Sequence, residues 1–359
     1  MVGIITFHRA ANYGAVLQSY ALQQTLGSIG VESEIIDYRC EHIEQHYSPK
    51  PSVSIKHTKH FVLELMEAPQ KSKIRKKFDG FLNNYLHLSQ KMTRGDLSKL
   101  VNKYDTVICG SDQVWNPIST NSDYSYFLDF VSSDKKKLSY AASIGIDEWE
   151  KSSSNVIKEY LKSFDAISIR EPSSLKMVES VYDGDVVVNV DPTVLLEASK
   201  WEELAEESNR KENGFVFVYM MQPSDNLYKV AEDLAREKGL DIISISMSGR
   251  KCPIGRNLKG ASVNDYLWFI KNASYIVTNS FHGLIFSMIF EKRFYWDYQL
   301  GKSMSNARFD MLSKQYGIGC RCFDDNKKLN DYKELDFREI KEIMKSQKTE
   351  SIQYLEKNV

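Results

Sequence analysis

The 359-residue sequence predicts an α/β protein with two Rossmann-like domains that face each other across a cleft. Short apolar runs alternate with segments of helical apolar spacing, which is typical of parallel sheets joined by crossover helices. The alternation stops in a polar segment, EESNRKENG at 206–214, and then starts again. We therefore place an N-terminal domain over residues 1–195 and a C-terminal domain over residues 196–359.

The first domain is predicted to begin with a strand, a helix and a second strand. The run VGIITF has the composition of a buried strand, and apolar residues then recur at helical spacing over Ala15–Leu26. Another helix is predicted over Asn155–Phe164, and Pro172 can open a further helix as its first residue. The strands predicted for this domain are Val2–Phe7, Glu34–Tyr38, Thr106–Cys109, Lys137–Ala142, Ala166–Ile169 and Val186–Val190.

A lysine-rich helical insertion at about 50–100 interrupts this order. Between Lys50 and Lys77 there are eight Lys or Arg residues and two acidic ones. Apolar residues between the lysines suggest peripheral contact with the inner face of a membrane. The alternative is a solvated insertion whose apolar face packs on its own domain. The apolar residues are Phe61, Val62, Leu65 and Met66.

The second domain repeats the alternation of strands and helices. A charged tail that starts at Asp331 has helical spacing. The predicted strands are Phe215–Met220, Ile242–Ser246, Tyr275–Thr278 and Arg293–Trp296, and the predicted helices are Asn226–Lys238, Val263–Asn272 and Leu284–Phe290.

The composition is that of an ordinary globular protein, with 42% hydrophobic residues, 26% charged residues and a formal net charge of −1. This balance gives no sign of a nucleic-acid partner. The N-terminus lacks the basic region of a signal peptide, and no apolar stretch reaches the roughly 20 residues that span a bilayer. We expect a cytoplasmic protein whose five cysteines are reduced thiols.

Polar residues follow several predicted strands, and ligands of such sheets bind at the carboxyl ends of the strands. We therefore expect these residues to converge on the cleft between the domains. They are His8, Asn12, Tyr13 and Gly14 after the first strand, Ser111, Asp112, Gln113, Trp115 and Asn116 after the third, Arg170 and Glu171 after the fifth, and Ser280, His282 and Gly283 after the Tyr275 strand.

His282 is the strongest candidate for chemistry. It lies between two apolar segments and directly before Gly283, where a helix N-terminus offers a site for an anion. An imidazole there can give or take a proton near neutral pH. The alternative is a histidine that only caps the helix. Arg170 can bind a carboxylate or phosphate, or it can simply pair with Glu171.

Other motifs carry weaker signals. Asn12-Tyr13-Gly14 lies where a phosphate loop would lie but is not G-x-G-x-x-G, and Ser111 has no G-x-S-x-G context. Asp183-Gly184-Asp185 has the form of a metal-binding D-x-D, but Asp-Gly before a strand favours a turn. We expect no metal and no cofactor.

Seven stretches lie in this order along nearly the whole chain: GIITFHRAANYGAVLQSYAL, VICGSDQVWNP, YAASIG, ISIREPSS, VNVDPTVLL, TNSFHGLIFSMIF and NARFDML. Together they resemble the polysaccharide pyruvyl transferase family, in which they occur in the same order. The resemblance implies a two-domain fold similar to GT-B glycosyltransferases. It also implies transfer of a pyruvyl group from phosphoenolpyruvate to a sugar of a capsule or exopolysaccharide precursor, often lipid-linked, with formation of a pyruvate ketal.

The resemblance assigns roles to the strand-end residues. His282 becomes the catalytic acid or base, with phosphoenolpyruvate as a co-substrate. Donor binding is expected from Arg170, Arg308, Ser280 and Gly283, and acceptor binding from Asn12, Tyr13, Gly14, Asp112, Gln113, Trp115 and Asn116.

This chain departs from the family pattern at one position. Members commonly carry arginine two residues before this histidine, where this chain has Ser280. Arg308, Lys302 or Arg256 are the residues that could supply the charge instead.

Two other functions compete with pyruvyl transfer. One is a GT-B glycosyltransferase that uses a nucleotide sugar, for which Glu171 and Glu179 have an E-x7-E spacing. The other is a non-catalytic glycan-binding protein that kept the fold.

Overall fold

A computed structural model describes residues 1–48, 58–245, 252–300 and 306–359. Three residues named above, Lys50, Ser246 and Lys302, lie outside these ranges, and the side chains of Phe61 and Val62 lie outside the described part as well.

The first sheet is parallel, and most residues of its strands other than β6 are buried. Its four central strands run in the order β2, β1, β3, β4, and Ile4 of β1 pairs with Ile35 of β2 and with Ile108 of β3. A parallel pair, β5 and β6, extends it through bridges from Leu138 to Ala166 and from Ala142 to Ile169. The strands are β1 Val2–Ile5, β2 Ser33–Ile35, β3 Thr106–Cys109, β4 Lys136–Ser139, β5 Ile167–Ile169 and β6 Val186–Val188.

The second sheet is also parallel, in the order β11, β10, β7, β8, β9. β7 and β10 lie at its centre and are apolar almost throughout, as expected of strands covered on both faces. The strands are β7 Phe215–Tyr219, β8 Asp241–Ile245, β9 Arg256–Leu258, β10 Tyr275–Thr278 and β11 Phe294–Trp296.

Helices connect the strands and cover both sheets. Their bounds are α1 Tyr13–Ser28, α2 Glu41–His46, α3 Thr58–Tyr85, α4 Leu97–Leu100, α5 Pro117–Thr120, α6 Lys151–Leu161, α7 Leu175–Glu179, α8 Ala198–Glu206, α9 Asp225–Lys238, α10 Val263–Asn272, α11 Phe281–Ile289, α12 Ala307–Tyr316 and α13 Phe337–Asn358.

The predicted strands and helices occur in the predicted order, although several bounds shift by a few residues, and β9 and several helices, such as α2, α8 and α12, are additional. β9 is short, and its sequence, Arg256-Asn257-Leu258, contains no apolar run. α11 starts at Phe281, three residues earlier than predicted, because the Ser280 hydroxyl accepts the backbone N–H of Gly283 and caps the helix. His282 therefore lies within the first turn of α11 and not in the turn before it.

α1 lies between the two sheets. Nearly every one of its residues is buried, including the polar Gln18, Ser19 and Gln23, so the helix is covered on all sides. Tyr13 in its first turn stacks on Tyr266 of α10 with ring centroids 4.5 Å apart, and its hydroxyl donates to the Ala261 carbonyl at 3.0 Å. A helix that follows a strand of the first sheet thus packs against the second.

α13 makes the reverse connection. It follows the second sheet, yet the Tyr354 hydroxyl donates to the Ser139 carbonyl of β4 at 2.9 Å. The Ser351 hydroxyl accepts from the Asn189 side-chain amide at 3.1 Å and from the Val190 backbone N–H at 3.2 Å. The charged tail therefore has a buried face that joins it to the first sheet.

The lysine-rich insertion contains the long helix α3. Its second half packs into the core through Ile74, Phe78, Phe81 and Leu82. Several of its basic side chains are paired: Lys71 with Glu67, Arg75 with Glu44 and Asp79, and Lys77 with Asp265.

Candidate functional site

His282 is buried where the two halves of the molecule meet. Its imidazole projects from the first turn of α11 and lies against the first turn of α1, where a Cβ added to Gly14 would overlap with Nδ1. Position 14 of the Asn12-Tyr13-Gly14 motif therefore requires glycine, because any side chain there would clash with the His282 ring. The contact joins two motifs that are far apart in the sequence.

The start of α11 is fixed by small residues. The Thr278 hydroxyl donates to the Tyr219 carbonyl, and a Cβ on Gly283 would lie 2.5 Å from that hydroxyl oxygen. The Gly283 N–H is already bound by Ser280. Gly283 thus allows α11 to pack against Thr278, and its own N–H serves the helix cap.

Asp191 is the residue opposite His282. Its Oδ2 lies 3.3 Å from His282 Nε2, although the ring is not aligned for a hydrogen bond, and Nε2 has no hydrogen-bond partner among the described residues. Burial would raise the pKa of Asp191, but the nearby His282 and Arg170 outweigh it and hold that pKa well below its usual range. Asp191 is a buried, ionised carboxylate.

Arg170 pairs with two carboxylates in the same cluster. It is 1% exposed, and its Nη1 donates to Asp191 Oδ2 at 2.9 Å while its Nε donates to Glu171 Oε1 at 3.0 Å. Its guanidinium stacks over the Phe281 ring, 4.4 Å from the centroid. The Ser143 hydroxyl donates to the same Glu171 oxygen at 2.6 Å. The predicted Arg170–Glu171 pair is present, but it lies in the interior.

Arg308 differs from Arg170 because it has no ion-pair partner in the part of the chain that the structure describes. Its Nη2 donates to Gln299 Oε1 at 2.9 Å, and its Nε is buried without a partner among those residues. Burial and the neighbouring Arg170 lower the pKa of Arg308 to about 10, against the opposing effect of Asp112 and Glu171. A half-buried cation with free donors is suited to an anionic ligand.

The loop after β3 reaches the same cluster through Asp112. This residue has a φ of 74°, in the left-handed region, and its charge acts on both Arg170 and Arg308. Gln113 is partly exposed and accepts from the Asn116 side chain at 3.4 Å. Asn12 and Asn116 use their side-chain oxygens to cap α1 and α5.

Two predictions for acceptor binding are wrong. Trp115 is fully buried, stacks on Phe127 and donates its Nε1–H to the Tyr126 carbonyl. Tyr13 is fully buried in the contact between α1 and α10. An aromatic residue after a strand end can line a binding surface, but it can equally well pack in the hydrophobic core. Neither ring has a face left for a sugar.

The structure thus brings together most of the predicted site. The start of α11, with Ser280, His282 and Gly283, lies against Gly14 and Arg170. Arg308 and Asp112 lie next to them, whereas Arg256 pairs with Glu212 elsewhere.

Asp191 is not among the predicted site residues, and Glu171 is predicted only to follow a strand. The rule used for the other strands also points to Asp191, because it closely follows Val186–Val190. In the sequence, Asp191-Pro192 indicates only the end of that strand.

A cavity of about 200 Å³ reaches Arg170 and Asp191 from the side of α12 and α13. Glu350 and the amides of Asn189, Gln315 and Gln347 line it together with apolar side chains. Asp191 and Glu350 place two carboxylates against the one guanidinium there, so the cavity is poorly suited to a multiply charged anion.

Comparisons with known proteins agree with this architecture. The sequence model of a family described as polysaccharide pyruvyl transferase matches residues 12–296. Among solved structures, a UDP-GlcNAc 2-epimerase from Methanocaldococcus jannaschii superposes with a TM-score of 0.50 at 12% identity, covering 96% of this chain and 91% of that chain. This likeness supports a GT-B-type fold.

Other matches are more distant. ADP-heptose lipopolysaccharide heptosyltransferase II from Escherichia coli gives a TM-score of 0.39 at 9% identity, covering 97% of this chain and 98% of that chain. No curated protein sequence matches the chain significantly.

Gly14→Ala should destabilise the protein and displace His282. The new methyl group has no space beside the imidazole, and overpacking of this kind costs about 1–3 kcal/mol. Gly27→Ala is the matched control, because Gly27 lies in the same helix with nothing near its missing Cβ. That change should leave stability equal or raise it by about 0.5–1 kcal/mol. Urea unfolding measures both, and equal stability of the two variants would contradict the contact.

Proposed function

This chain belongs to the polysaccharide pyruvyl transferase family and is a transferase, and we propose that it moves a pyruvyl group from phosphoenolpyruvate to a hexose of a surface-polysaccharide precursor, forming a pyruvate ketal. One observation carries the proposal beyond the family. His282 lies beside a buried carboxylate at the junction of the two halves, next to an arginine without an ion-pair partner among the described residues.

The chemistry requires one proton to be delivered and two to be removed. The methylene carbon of phosphoenolpyruvate gains a proton as its π electron pair forms the new C–H bond. The neighbouring carbon becomes electron-poor and takes the first sugar hydroxyl, which loses its proton. The second hydroxyl then displaces phosphate, and its proton leaves with the phosphate. His282 is the residue of the cluster that can exchange protons near neutral pH.

Phosphoenolpyruvate, the donor, carries negative charges that arginine side chains can bind. Arg308 has free N–H donors and no carboxylate within ion-pair distance in the described part of the chain, so it is the first contact for the phosphate or carboxylate. Arg170 contributes through the side of its guanidinium that neither Asp191 nor Glu171 binds. Ser280 caps α11 where the family pattern has arginine. Arg308 therefore carries more of the donor's charge in this chain.

The acceptor sugar enters from the side of the cluster where predicted acceptor-binding residues are partly exposed. Of the residues predicted to bind it, Asp112, Gln113 and Asn12 keep part of their surface exposed. Carboxylate and amide groups of this kind bind sugar hydroxyls by hydrogen bonds.

A lipid-linked acceptor requires the enzyme to work close to a membrane. No helix in the described ranges is both long enough and apolar enough to cross one. Peripheral contact through α3 remains our proposal. Leu65 and Met66 are 55% and 74% exposed, and Lys73 and Lys76 are exposed without an ion pair among the described residues. Because Lys71, Arg75 and Lys77 are paired with acidic side chains, the surface of α3 carries less free positive charge than its sequence alone suggests.

His282→Gln should abolish ketal formation. Loss of a general acid or base typically lowers the rate by about 10²–10⁴. Candidate lipid-linked oligosaccharides are incubated with phosphoenolpyruvate, and mass spectrometry detects the gain of one pyruvyl ketal. His42→Gln, at an exposed position on α2, is the control and should react normally.

Two other outcomes would support the alternative functions. Transfer from a uridine or guanosine sugar in place of phosphoenolpyruvate would support a glycosyltransferase. A folded His282→Gln variant with full biological activity would support a non-catalytic glycan-binding protein.

Arg308→Gln should weaken binding of phosphoenolpyruvate by roughly 10–100-fold, because a hydrogen bond to a charged group contributes about 1.5–3 kcal/mol. Isothermal titration measures the affinity. Arg338→Gln removes the same charge from a side chain that is 93% exposed on α13 and should leave the affinity unchanged. An Arg308 variant with normal affinity would show that this arginine is structural.

Membrane contact through α3 predicts co-sedimentation with anionic liposomes at low salt and release at high salt. Lys73→Gln with Lys76→Gln should reduce the bound fraction. Lys314→Gln with Lys345→Gln removes equal charge from α12 and α13 and should not. Protein that stays in the supernatant at low salt, or equal binding by both double variants, would exclude α3 as the contact.

A further inference from the structure

We propose that Tyr47 binds the acceptor sugar and helps to select it. The ligand that fits this position is a neutral hexose ring with hydroxyl groups on neighbouring carbon atoms. The inference rests on the proposed function only for what is done to the sugar once it is bound. Tyr47 directly follows α2 and lies outside all the stretches that resemble the family.

The position of Tyr47 is fixed by α2. The Tyr47 backbone N–H donates to the Ile43 carbonyl at 3.3 Å, and the Ile43 side chain is buried. Glu44 in the same helix pairs with Arg39 and, at 3.2 Å, with Arg75 of α3. The Tyr47 ring packs against two separate hydrophobic clusters, yet part of its surface stays exposed. A ligand can therefore contact a ring that is already held in place.

The Tyr47 hydroxyl points toward the cleft between the two sheets. It lies beside the Asn12 side chain and close to the Asp112 carboxylate. It is also close to the Tyr219 hydroxyl, at the carboxyl end of β7. Asn12 and Asp112 follow strands of the first sheet, whereas Tyr219 ends a strand of the second. Tyr47 thus reaches the place where strand ends of both sheets meet, which is where such folds bind ligands.

A short series of contacts leads from Tyr47 to His282. The Asn12 side chain beside Tyr47 accepts the Gly14 backbone N–H through Oδ1 at 2.9 Å. The His282 imidazole lies against Gly14. A hexose that contacts Tyr47 is therefore close to the residue that exchanges protons with the acceptor hydroxyls.

Tyr47 and Asp112 have complementary hydrogen-bonding groups. Burial and the charge of Asp112 raise the pKa of Tyr47 to about 12, against the opposing effect of Asn12, so the hydroxyl keeps its proton and can donate. Asp112 is partly exposed, and among the described residues only its Oδ1 takes a hydrogen bond, from the Gln113 backbone N–H at 2.8 Å. A donor close to an acceptor suits two neighbouring sugar hydroxyls, because each hydroxyl can donate and accept.

The ring of Tyr47 can contact the sugar as well. A tyrosine offers an apolar body and a polar tip, and the C–H groups of a pyranose can pack on that body. Tyr13 and Trp115 are fully buried and cannot do so. Tyr47 therefore supplies the aromatic surface that those two residues were predicted to supply.

Saturation-transfer nuclear magnetic resonance with the methyl glycosides of glucose, galactose and mannose measures sugar binding without any assay of transfer. The wild-type protein should bind at least one of them. Tyr47→Phe should weaken that binding by roughly 2–10-fold, the usual net effect of one hydrogen bond. Tyr47→Ala should weaken it further, because the ring is lost too. The control is Tyr160→Phe, which removes a hydroxyl from a partly exposed residue that packs on Tyr124 and should not change binding.

Kinetics provide the second measurement. Tyr47→Phe should raise KM for the acceptor by a similar factor and leave KM for phosphoenolpyruvate unchanged, because arginines hold the donor. Tyr47→Phe keeps the packing of the ring, so the test stands even if Tyr47→Ala fails to fold.

The two proposals fail in different ways. A wild-type protein that binds none of the glycosides, or a folded Tyr47→Phe variant with normal sugar binding or normal acceptor KM, would overturn the role of Tyr47. Sugar binding that depends on Tyr47 in a protein that transfers no pyruvyl group would reject the proposed function alone.

Discussion

The buried ion pair between Arg170 and Asp191 is the interaction on which the site depends. A charge in the interior is tolerated only with a partner, and removing one member of such a pair costs about 3–5 kcal/mol. Arg170 ends a strand of the first sheet, and Asp191 opens the segment that leads to the second. Their pairing fixes the distance between these two segments. It also fixes the position of the charge that His282 meets, so that the fold and the electrostatics of the site have one origin.

The two sheets are held together by exchanged helices. α1 belongs by sequence to the first half and packs on the second, while α13 does the opposite. The contact between Gly14 and His282 exists only when both halves are in place. The site is therefore a property of the assembled molecule, and neither half contains it alone.

Much of the fold and part of the site could be predicted from the sequence, because strand and helix periods are local and residues after strand ends converge. The convergence of His282 and Arg170 on one cluster is predicted in this way. Asp191 was missed although the same rule covered it. The donors that Arg308 leaves without a partner among the described residues could not be predicted, since they depend on which carboxylates of distant segments come near it. Trp115 and Tyr13 were assigned wrongly because a sequence does not show which aromatic rings are covered.

The path of α13 also affects how the protein is made. The carbonyl of Ser139 receives its hydrogen bond from Tyr354, a residue 215 positions later. At about 5–20 residues per second, a ribosome needs roughly 10–40 s to synthesise that interval. The last strand of the first sheet, β6, ends at Val188, so for most of this time the sheet has all its strands while Ser351 and Tyr354 are absent. Proteins that bind nascent chains therefore meet the end of β4 and the segment after β6 before α13 covers them.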